Sequence, residues 1–571
     1  MSRRAALIPS LLLALAAVGC SGSDQGITIQ PDDADPQINL ASPALGSWVS
    51  SGETTLTGSY NDLSAVTANA ADANLGDATW SSGAELERGV NLIEATGTGT
   101  NGDIVFQRGA VLAGTFSDPD GPVQDAFIAR VNEAGLDQVL GLAGDLLDLS
   151  ALTDDLSALN PVLEDTVEVL GYDLVEYSVD IDEMTFRDPI IRLDPRPGYL
   201  SVEVEIPYLF VDMTAFSDVT LFDFEVGVSM AADSVDVVAD VFVDADNGEL
   251  TVSIDGADVT MRGFSYDASL LPSWIESWLF VDTIRGTIED LVVEQLNTLV
   301  PELIAGFLDD LPLTFELDLL GNPLTLEGTI ADAFIDERGI QIAADMDVFI
   351  PGDAGLTHAG YLTSGVVNAP ELSTTAPFSA SLSDDTLNRL LFEVWKAGVL
   401  ELEVDSEDPD LGLYIGLILD LLNADEGGIA VSAAMPPVLV ASGDAFEAQA
   451  GELELTVLTP GGDLGESLTL SIAAFMGLEL GLKDNCLELE LGEPELGLMV
   501  RESDWGATNE ATTKLMEEML PMETILGAID LLLGDGFCDL VPLEGFSLDE
   551  VTMERDAGGA HTLMEIEISM D

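Results

Sequence analysis

The amino-acid sequence predicts an α+β protein in which a small β-sandwich precedes long one-sided sheets and long apolar helices. From Leu200 to Ile254, apolar residues alternate with polar or acidic ones, as in antiparallel strands with one buried face. Residues 283–311 carry a broad apolar face at helical spacing, which includes Leu299 and Leu303. A helix, long strands and another long helix then recur from Ser383 onward, which indicates a tandem repeat.

The composition limits the classes of partner. The chain has 571 residues, and its 47% hydrophobic content excludes disorder for most of its length. Its 105 acidic and 17 basic residues give a net charge of −88, which repels phosphate backbones and excludes nucleic acid as a partner. The acidic residues are spread along the chain, which favours solubility in a saline habitat over a specific calcium-binding role.

The N-terminal segment has the features of an export signal. A basic start, Met1–Arg4, precedes the apolar stretch Ala5–Val18, which is too short for a membrane-spanning helix, so residues 1–19 are predicted to be a signal peptide. The segment from Ala17 to Cys20 resembles a bacterial lipobox, which implies that Cys20 is acylated, for example with palmitate, and becomes the first mature residue. Ser21 then implies outer-membrane sorting. The alternative is ordinary cleavage without a lipid.

Two short regions come next. Residues 20–37 are small, polar and acidic, with two prolines, and are predicted to form a tether. Residues 38–116 contain short β-prone runs separated by turn residues, which predicts a β-sandwich. The segments at 42–46 and 87–95 resemble bacterial immunoglobulin-like modules of surface proteins. This resemblance implies either a spacer or a carbohydrate-contacting adhesin.

The remaining chain divides into three predicted parts: residues 121–330, a joining sheet at 331–376, and residues 377–571. A hairpin is predicted at Asn247-Gly248, because this dipeptide lies between two alternating runs. Ser383 is predicted to cap a helix whose first turn contains two aspartates and whose apolar face includes Leu391 and Trp395. A final helix is predicted at 509–533.

Two segments carry a family resemblance. Residues Ala129–Asp137 and Phe378–Leu400 resemble the helices that open the two halves of the tubular lipid-binding family, which includes bactericidal/permeability-increasing protein and the plasma lipid-transfer proteins. The resemblance covers residues 125–571. It implies two tandem barrels of curved antiparallel sheet, each wrapped around a long helix, with apolar grooves for acyl chains. Four residues are expected to approach these grooves: Leu299, Leu303, Leu391 and Trp395.

The chain departs from the cationic members of that family. It has only three lysines, at positions 396, 483 and 514, whereas those members bind lipopolysaccharide through lysine-rich tips. The antimicrobial members also carry a disulfide in the first barrel. Here the remaining cysteines, Cys486 and Cys538, both lie in the second half, where an exported chain favours a disulfide over two buried thiols.

No motif for catalysis was found. The two histidines, His358 and His561, lie in glycine-rich turns and are expected to be exposed. The sequence has no HExxH, GxSxG or phosphate-binding loop, so we expect no enzyme activity, metal or cofactor. An uncharacterised hydrolase is the least favoured hypothesis.

The predicted function is therefore non-enzymatic binding of lipids, extending to their transfer, by a lipoprotein anchored in the outer membrane of a bacterial cell envelope. The expected partners are phospholipids or other acyl-chain ligands, and the membrane through the N-terminal anchor. The alternative is a structural or adhesive surface protein with filled barrels and a glycan- or protein-contacting sandwich.

Overall fold

The computed structural model describes residues 36–146, 160–161, 163–169, 172–217, 224–267, 285–286, 289, 293, 314–319, 322–365, 369–405, 427–442, 445–458, 468–483, 486–492, 494–503, 513, 537–538, 546–556 and 558–570. Among these residues strands account for 69% and helices for 7%, so the predicted α+β class is wrong and the described chain is mostly β. The physical reason is that apolar residues alternate with a period of two through most of the chain. Such a run gathers its apolar side chains on one buried face when it forms a strand of a sheet, and not when it forms a helix.

Two helices are bounded in the described part of the chain. They are α1 (Glu133–Leu146) and α2 (Asp384–Lys396), with 14 and 13 residues. No long helix wrapped by a sheet occurs among the described residues, which corrects the predicted barrel architecture. The predicted helices at 283–311 and 509–533 lie almost entirely outside these residues. None of the helices searched within the described ranges is long and apolar enough to cross a membrane.

Residues 37–113 form two sheets that share one apolar core. Leu56 and Trp80 from the first sheet and Ile93 and Val111 from the second are almost fully buried in it. The first sheet has the order β1-β3-β7-β6 and the second β2-β9-β8-β4-β5. The strands are β1 (Gln37–Ser42), β2 (Trp48–Val49), β3 (Gly52–Asn61), β4 (Leu63–Ala68), β5 (Ala71–Asp72), β6 (Asn74–Leu75), β7 (Thr79–Leu86), β8 (Gly89–Gly99) and β9 (Ile104–Ala113).

A sheet of very long antiparallel strands follows, and we call it the first long sheet. Its strands are β12 (Leu163–Val169), β13 (Tyr172–Thr185), β14 (Ile190–Arg196), β15 (Tyr199–Ser217), β16 (Phe224–Asp246), β17 (Glu249–Arg262) and β18 (Ser265–Asp267). The order is β12-β13-β15-β16-β17, with β14 beside β15 and β18 beside β16. The predicted hairpin is confirmed: Asp246 pairs with Glu249, and Asn247 and Gly248 have φ of +53° and +89°.

A central sheet combines strands from distant parts of the chain in the order β19-β20-β21-β11-β23-β33-β32. The central strands β11 and β23 lie side by side, and each leads directly into a helix, α1 or α2. The predicted tandem repeat remains a prediction. The strands are β11 (Val123–Asn132), β19 (Thr314–Leu319), β20 (Asn322–Asp336), β21 (Gly339–Phe349), β23 (Phe378–Ser383), β32 (Phe546–Arg555) and β33 (His561–Met570).

The second half contributes another long sheet, ordered β24-β25-β27-β28-β29-β31, with β26 beside β27 and β30 beside β28. Its strands are β24 (Leu402–Asp405), β25 (Gly428–Ala433), β26 (Val438–Ser442), β27 (Ala445–Leu458), β28 (Leu468–Lys483), β29 (Cys486–Leu491), β30 (Glu495–Ser503) and β31 (Phe537–Cys538). A short ribbon pairs β10 (Thr115–Ser117) with β22 (Tyr361–Thr363).

The N-terminal sandwich is packed against the second half of the chain. The Val90 amide donates a buried 2.7 Å hydrogen bond to Gln449 Oε1, and the Ala110 amide donates one of 2.6 Å to Glu452 Oε1. Gly89 permits this approach, because a Cβ there would lie 2.2 Å from Gln449 Oε1. One apolar cluster joins the two parts, with Val90, Ala110, Leu112, Leu362, Met435, Val438 and Ala473. The sandwich therefore forms an interface with the second half and does not project freely from it.

Candidate apolar ligand site

The inner face of the first long sheet is an apolar wall. Alternation along β15 and β16, which shifts phase once in each strand, near Tyr208 and Ser234, sends one row of each strand inward. Members of these rows such as Leu200, Val204, Val235 and Val241 are almost fully buried. Leu136 of α1 and Ile330, Ile335 and Ile340 of the central sheet pack against the same wall, so it is continuous with the interior between the two sheets.

This wall becomes partly exposed at the last strand of the sheet. The inward-facing side chains Leu250, Val252, Ile254 and Val259 of β17 are only partly buried. The β16 partners of the last three are buried, whereas Ala245, opposite Leu250, is itself partly buried. Strand β17 ends the strand order of this sheet within the described residues. We call this half-exposed inner row of β17 the apolar edge.

The charges of these strands lie on the opposite face. The outward row of β17 includes Asp255 and Asp258, and Asp255 lies directly opposite Asp240 of β16. The apolar edge itself contains only aliphatic side chains. A site of this composition suits an alkyl chain and offers no group for acid–base or nucleophilic chemistry.

The described residues hold no group of three or more His, Cys, Asp or Glu side chains arranged for a metal ion. This bears only on those residues, and the expectation that the protein lacks a metal and an enzyme activity remains a prediction.

The four predicted groove residues have different positions. Leu299 and Leu303 lie outside the described residues, as does the predicted lipidation site Cys20. Leu391 is partly buried on α2. Trp395 is 1% exposed and donates a 2.7 Å hydrogen bond from Nε1 to the Ala433 carbonyl oxygen. Its described contacts are those of a core residue, and a groove role for these four positions remains a prediction.

The two C-terminal cysteine positions are brought together by the strand register. Position 486 on β29 is the direct antiparallel partner of position 538 on β31. Directly opposed residues in antiparallel sheets have Cα atoms about 4.5–5.5 Å apart, which falls in the range that a disulfide spans. The register therefore permits the predicted Cys486–Cys538 bond, which remains a prediction.

A buried polar cluster surrounds α2, and the sequence alone does not predict it. Arg555 and Asp384, with side chains 5% and 0% exposed, form a bidentate pair at 2.6 and 2.5 Å. Arg389 and Glu393, at 6% and 5%, pair one turn further along the helix. The two first-turn aspartates were interpreted only as favourable to the helix dipole. The available signal was the spacing of four residues between Arg389 and Glu393, which places them on the same helix face.

Burial also alters the remaining members of the cluster. The pKa of Asp385 is raised, chiefly by burial, although hydrogen bonds from the Ser364 amide and hydroxyl oppose this. His561 was expected to be exposed in a turn, but it is 5% exposed, so this expectation is wrong. The turn at 556–560 buries it because Asp556 accepts hydrogen bonds from the amides of Gly558, Ala560 and His561 and holds the turn closed.

Comparisons with known proteins give only distant likenesses. No family model and no curated protein matches the chain. Among solved structures, it is similar to lipopolysaccharide binding protein, with 13% identity over 78% of this chain and 100% of that one, at a TM-score of 0.40. It is also similar to P47 of Clostridium botulinum E1, with 10% identity over 79% of this chain and 100% of that one, at a TM-score of 0.26. At these scores neither likeness defines a fold or a ligand.

Proposed function

We propose that the protein binds lipids without chemical conversion, and that an acyl chain lies along the apolar edge of the first long sheet. The observation that supports this most directly is the partial exposure of Leu250, Val252, Ile254 and Val259, which continue a wall that is otherwise buried. A row of aliphatic side chains left half-exposed at the end of a core gains free energy when an apolar ligand covers it.

The energetics are sufficient for specific binding. Each methylene group removed from water contributes about 0.8 kcal/mol, so ten of them contribute about 8 kcal/mol before the cost of immobilising the chain. Because the apolar edge carries no charge, affinity depends on acyl-chain length rather than on the headgroup. The acidic outer face repels anionic headgroups, so a neutral or zwitterionic lipid is the favoured ligand.

We also propose that the protein acts at a bacterial outer membrane, tethered through an acylated Cys20 and the acidic segment 20–37, and that it transfers the bound lipid. The lipobox-like segment from Ala17 to Cys20 supports this proposal. Mass spectrometry of the mature N-terminal peptide tests it, with Cys20→Ala as the control that should lose both the acyl groups and membrane retention.

The test of lipid binding uses the full chain, delipidated and titrated with a fluorescent zwitterionic phospholipid. Ile254→Asp places a charge in the apolar edge and is expected to weaken binding at least tenfold. Ser253→Asp, on the outward face of the same strand, adds the same charge and should leave the affinity unchanged. Circular dichroism checks that both variants are folded.

Two results would overturn the proposal. One is a delipidated protein that takes up no neutral, zwitterionic or anionic lipid, which would favour the structural or adhesive function. The other is an Ile254→Asp variant with the affinity of the unmodified protein, which would remove the apolar edge as the binding site.

A further inference from the structure

Basic side chains are concentrated around α2, although the chain has only 17 of them against 105 acidic ones. Arg389 and Lys396 lie on the helix, Arg555 pairs with its first residue, and Arg88 approaches it from the sandwich. A chain so poor in basic residues gathers four of them in one region, and the hydrogen bonds around them indicate a ligand.

Arg389 is buried with part of its hydrogen-bonding capacity unused. Its side chain is 6% exposed, and Nη2 contacts Glu393 Oε1 at 3.1 Å. Its guanidinium carbon lies 5.4 Å from the centre of the Tyr361 ring. Within the described structure, its Nε and Nη1 are buried without a hydrogen-bond partner. Each buried donor that is left unpaired costs about 1–3 kcal/mol, so this arrangement calls for an acceptor.

Arg88 brings a second unsatisfied donor to the same place. Its Nε donates a 2.9 Å hydrogen bond to the Thr363 carbonyl oxygen, while its Nη2 is buried and has no partner among the described residues. Thr363 lies two residues after Tyr361 on β22. Arg88 and Arg389 therefore contact the same three-residue strand, Arg88 at a backbone carbonyl and Arg389 at an aromatic ring.

Asp385 supplies another neighbour that both arginines share. It lies one helical turn before Arg389, and its charge interacts with that of Arg88. Ser364, the residue after Thr363, donates to Asp385 from its amide at 2.6 Å and from its hydroxyl at 3.3 Å. Both guanidinium groups thus lie near β22 and the first turns of α2, Arg88 through the Thr363 carbonyl oxygen and Arg389 through the Tyr361 ring.

The local carboxylates already have partners of their own. Asp384 binds Arg555 through both oxygens, Glu393 is shared by Arg389 and Lys396, and both oxygens of Asp385 accept from Ser364. The polar atoms left over on Arg88 and Arg389 are all donors. A guanidinium group matches the oxygen spacing of an oxyanion, so the missing acceptor has the chemistry of a phosphate group.

We propose that a phosphate-type oxyanion, either free or as part of a lipid headgroup, binds between Arg88 and Arg389 at the contact of the sandwich with α2. This site is separate from the apolar edge. Because Arg88 belongs to the sandwich and Arg389 to α2, a bound oxyanion also ties these two parts together.

The test is isothermal titration calorimetry of the full chain with inorganic phosphate at constant ionic strength. One saturable site is expected, with affinity reduced at least tenfold in Arg88→Gln and in Arg389→Gln. Arg192→Gln is the matched control, because the Arg192 side chain is 60% exposed on the first long sheet. The affinity of this variant for phosphate should equal that of the unmodified protein. Arg389→Gln removes a buried charge and can fail to fold, in which case Arg88→Gln decides.

The absence of saturable phosphate binding would overturn the proposal and indicate that water occupies the site. An Arg88→Gln variant with unchanged affinity would overturn it as well. A water-soluble short-chain phosphatidate distinguishes the two sources: tighter, competitive binding supports a headgroup, and preference for inorganic phosphate supports a free anion. Ile254→Asp should leave phosphate binding intact and Arg88→Gln should leave acyl-chain binding intact, so the two proposals fail separately.

Discussion

Trp48 and Trp395 are in contact, with ring centroids 5.7 Å apart and ring planes at 56°. Trp48 lies on β2 of the N-terminal sandwich, and Trp395 is the penultimate residue of α2. This pair therefore connects the N-terminal sandwich to a helix that begins more than 330 residues later. It also explains why Trp395 is buried, although the sequence only places it on an apolar helix face.

The contact predicts energetic coupling between the two halves. In a double-mutant cycle of Trp48→Leu and Trp395→Leu, the coupling energy should be about 0.5–1.5 kcal/mol, measured by urea denaturation. Trp80 provides the control, because it lies inside the sandwich, where its Nε1 donates to the Asn39 carbonyl oxygen. Trp80→Leu and Trp395→Leu should be additive, and a Trp48 cycle that is equally additive would contradict the prediction.

The bidentate pair of Asp384 and Arg555 should be essential for stability. Asp384→Asn leaves the Arg555 charge buried without its counter-charge, so we expect the free energy of unfolding to fall by about 3–5 kcal/mol. The exposed pair of Arg196 and Asp194 is the comparison, and Asp194→Asn should cost about 0–1 kcal/mol. Equal losses in chemical denaturation of the two variants would show that Asp384 is not an essential partner.

Asp336 should contribute to the loss of stability at acid pH. Burial alone would raise its pKa, but hydrogen bonds from the Arg130 side chain and the Arg338 amide outweigh burial and lower the pKa. A carboxyl group whose pKa is lowered in the folded state stabilises the protein at pH values above the ordinary pKa of an aspartate. This stabilisation is lost as the pH falls through the folded-state pKa. Asp336→Asn should therefore flatten the decline of the urea midpoint on acidification.

Arg130→Gln should flatten the same acid limb, because it removes the main hydrogen bond that lowers the Asp336 pKa. Arg130→Gln should also be less stable at neutral pH, because the stabilisation linked to the lowered Asp336 pKa is fully present there and the contacts of the buried Arg130 are lost as well. An Asp336→Asn variant whose stability depends on pH as that of the unmodified protein does would show that Asp336 does not contribute to the loss of stability at acid pH.

The register of positions 486 and 538 predicts one disulfide in protein exported to an oxidising compartment. It would close a loop of about 50 residues and contribute about 4 kcal/mol by restricting the unfolded chain. Thiol titration of the unfolded protein with and without reductant measures the bond. A Cys486→Ser, Cys538→Ser double variant should match the stability of reduced protein. Two free thiols in the oxidised preparation would favour the alternative of unpaired cysteines.

Local features were predictable because they depend on nearby residues. The turn at Asn247-Gly248 follows from a dipeptide that tolerates positive φ, and the structure has it where expected. The cap of α2 is also confirmed, since the Ser383 hydroxyl accepts a hydrogen bond from the Asp385 amide. The predicted fold class is wrong, because alternation with a period of two, which favours strands, dominates the described residues.

The candidate sites show the same division. Alternation along β17 identifies Val252 and Ile254 as inward-facing, but their partial exposure depends on β17 being the last strand of its sheet. The buried arginines could not be predicted, since Arg88 and Arg389 are 301 positions apart in the chain. Only the folded arrangement of the sandwich, β22 and α2 brings both of them to the same short strand.

The sequence by itself determined the strand periodicity, the hairpin at Asn247-Gly248, the helix cap at Ser383 and the strongly acidic charge. These properties follow from residues that are adjacent or one turn apart, whose preferences do not depend on distant neighbours. Tertiary structure alone decided that the sandwich packs on the second half, that Asp384 and His561 are buried, and that an aliphatic row remains half-exposed. Burial and charge pairing depend on which distant segments pack together. The local sequence pattern does not show which segments those are.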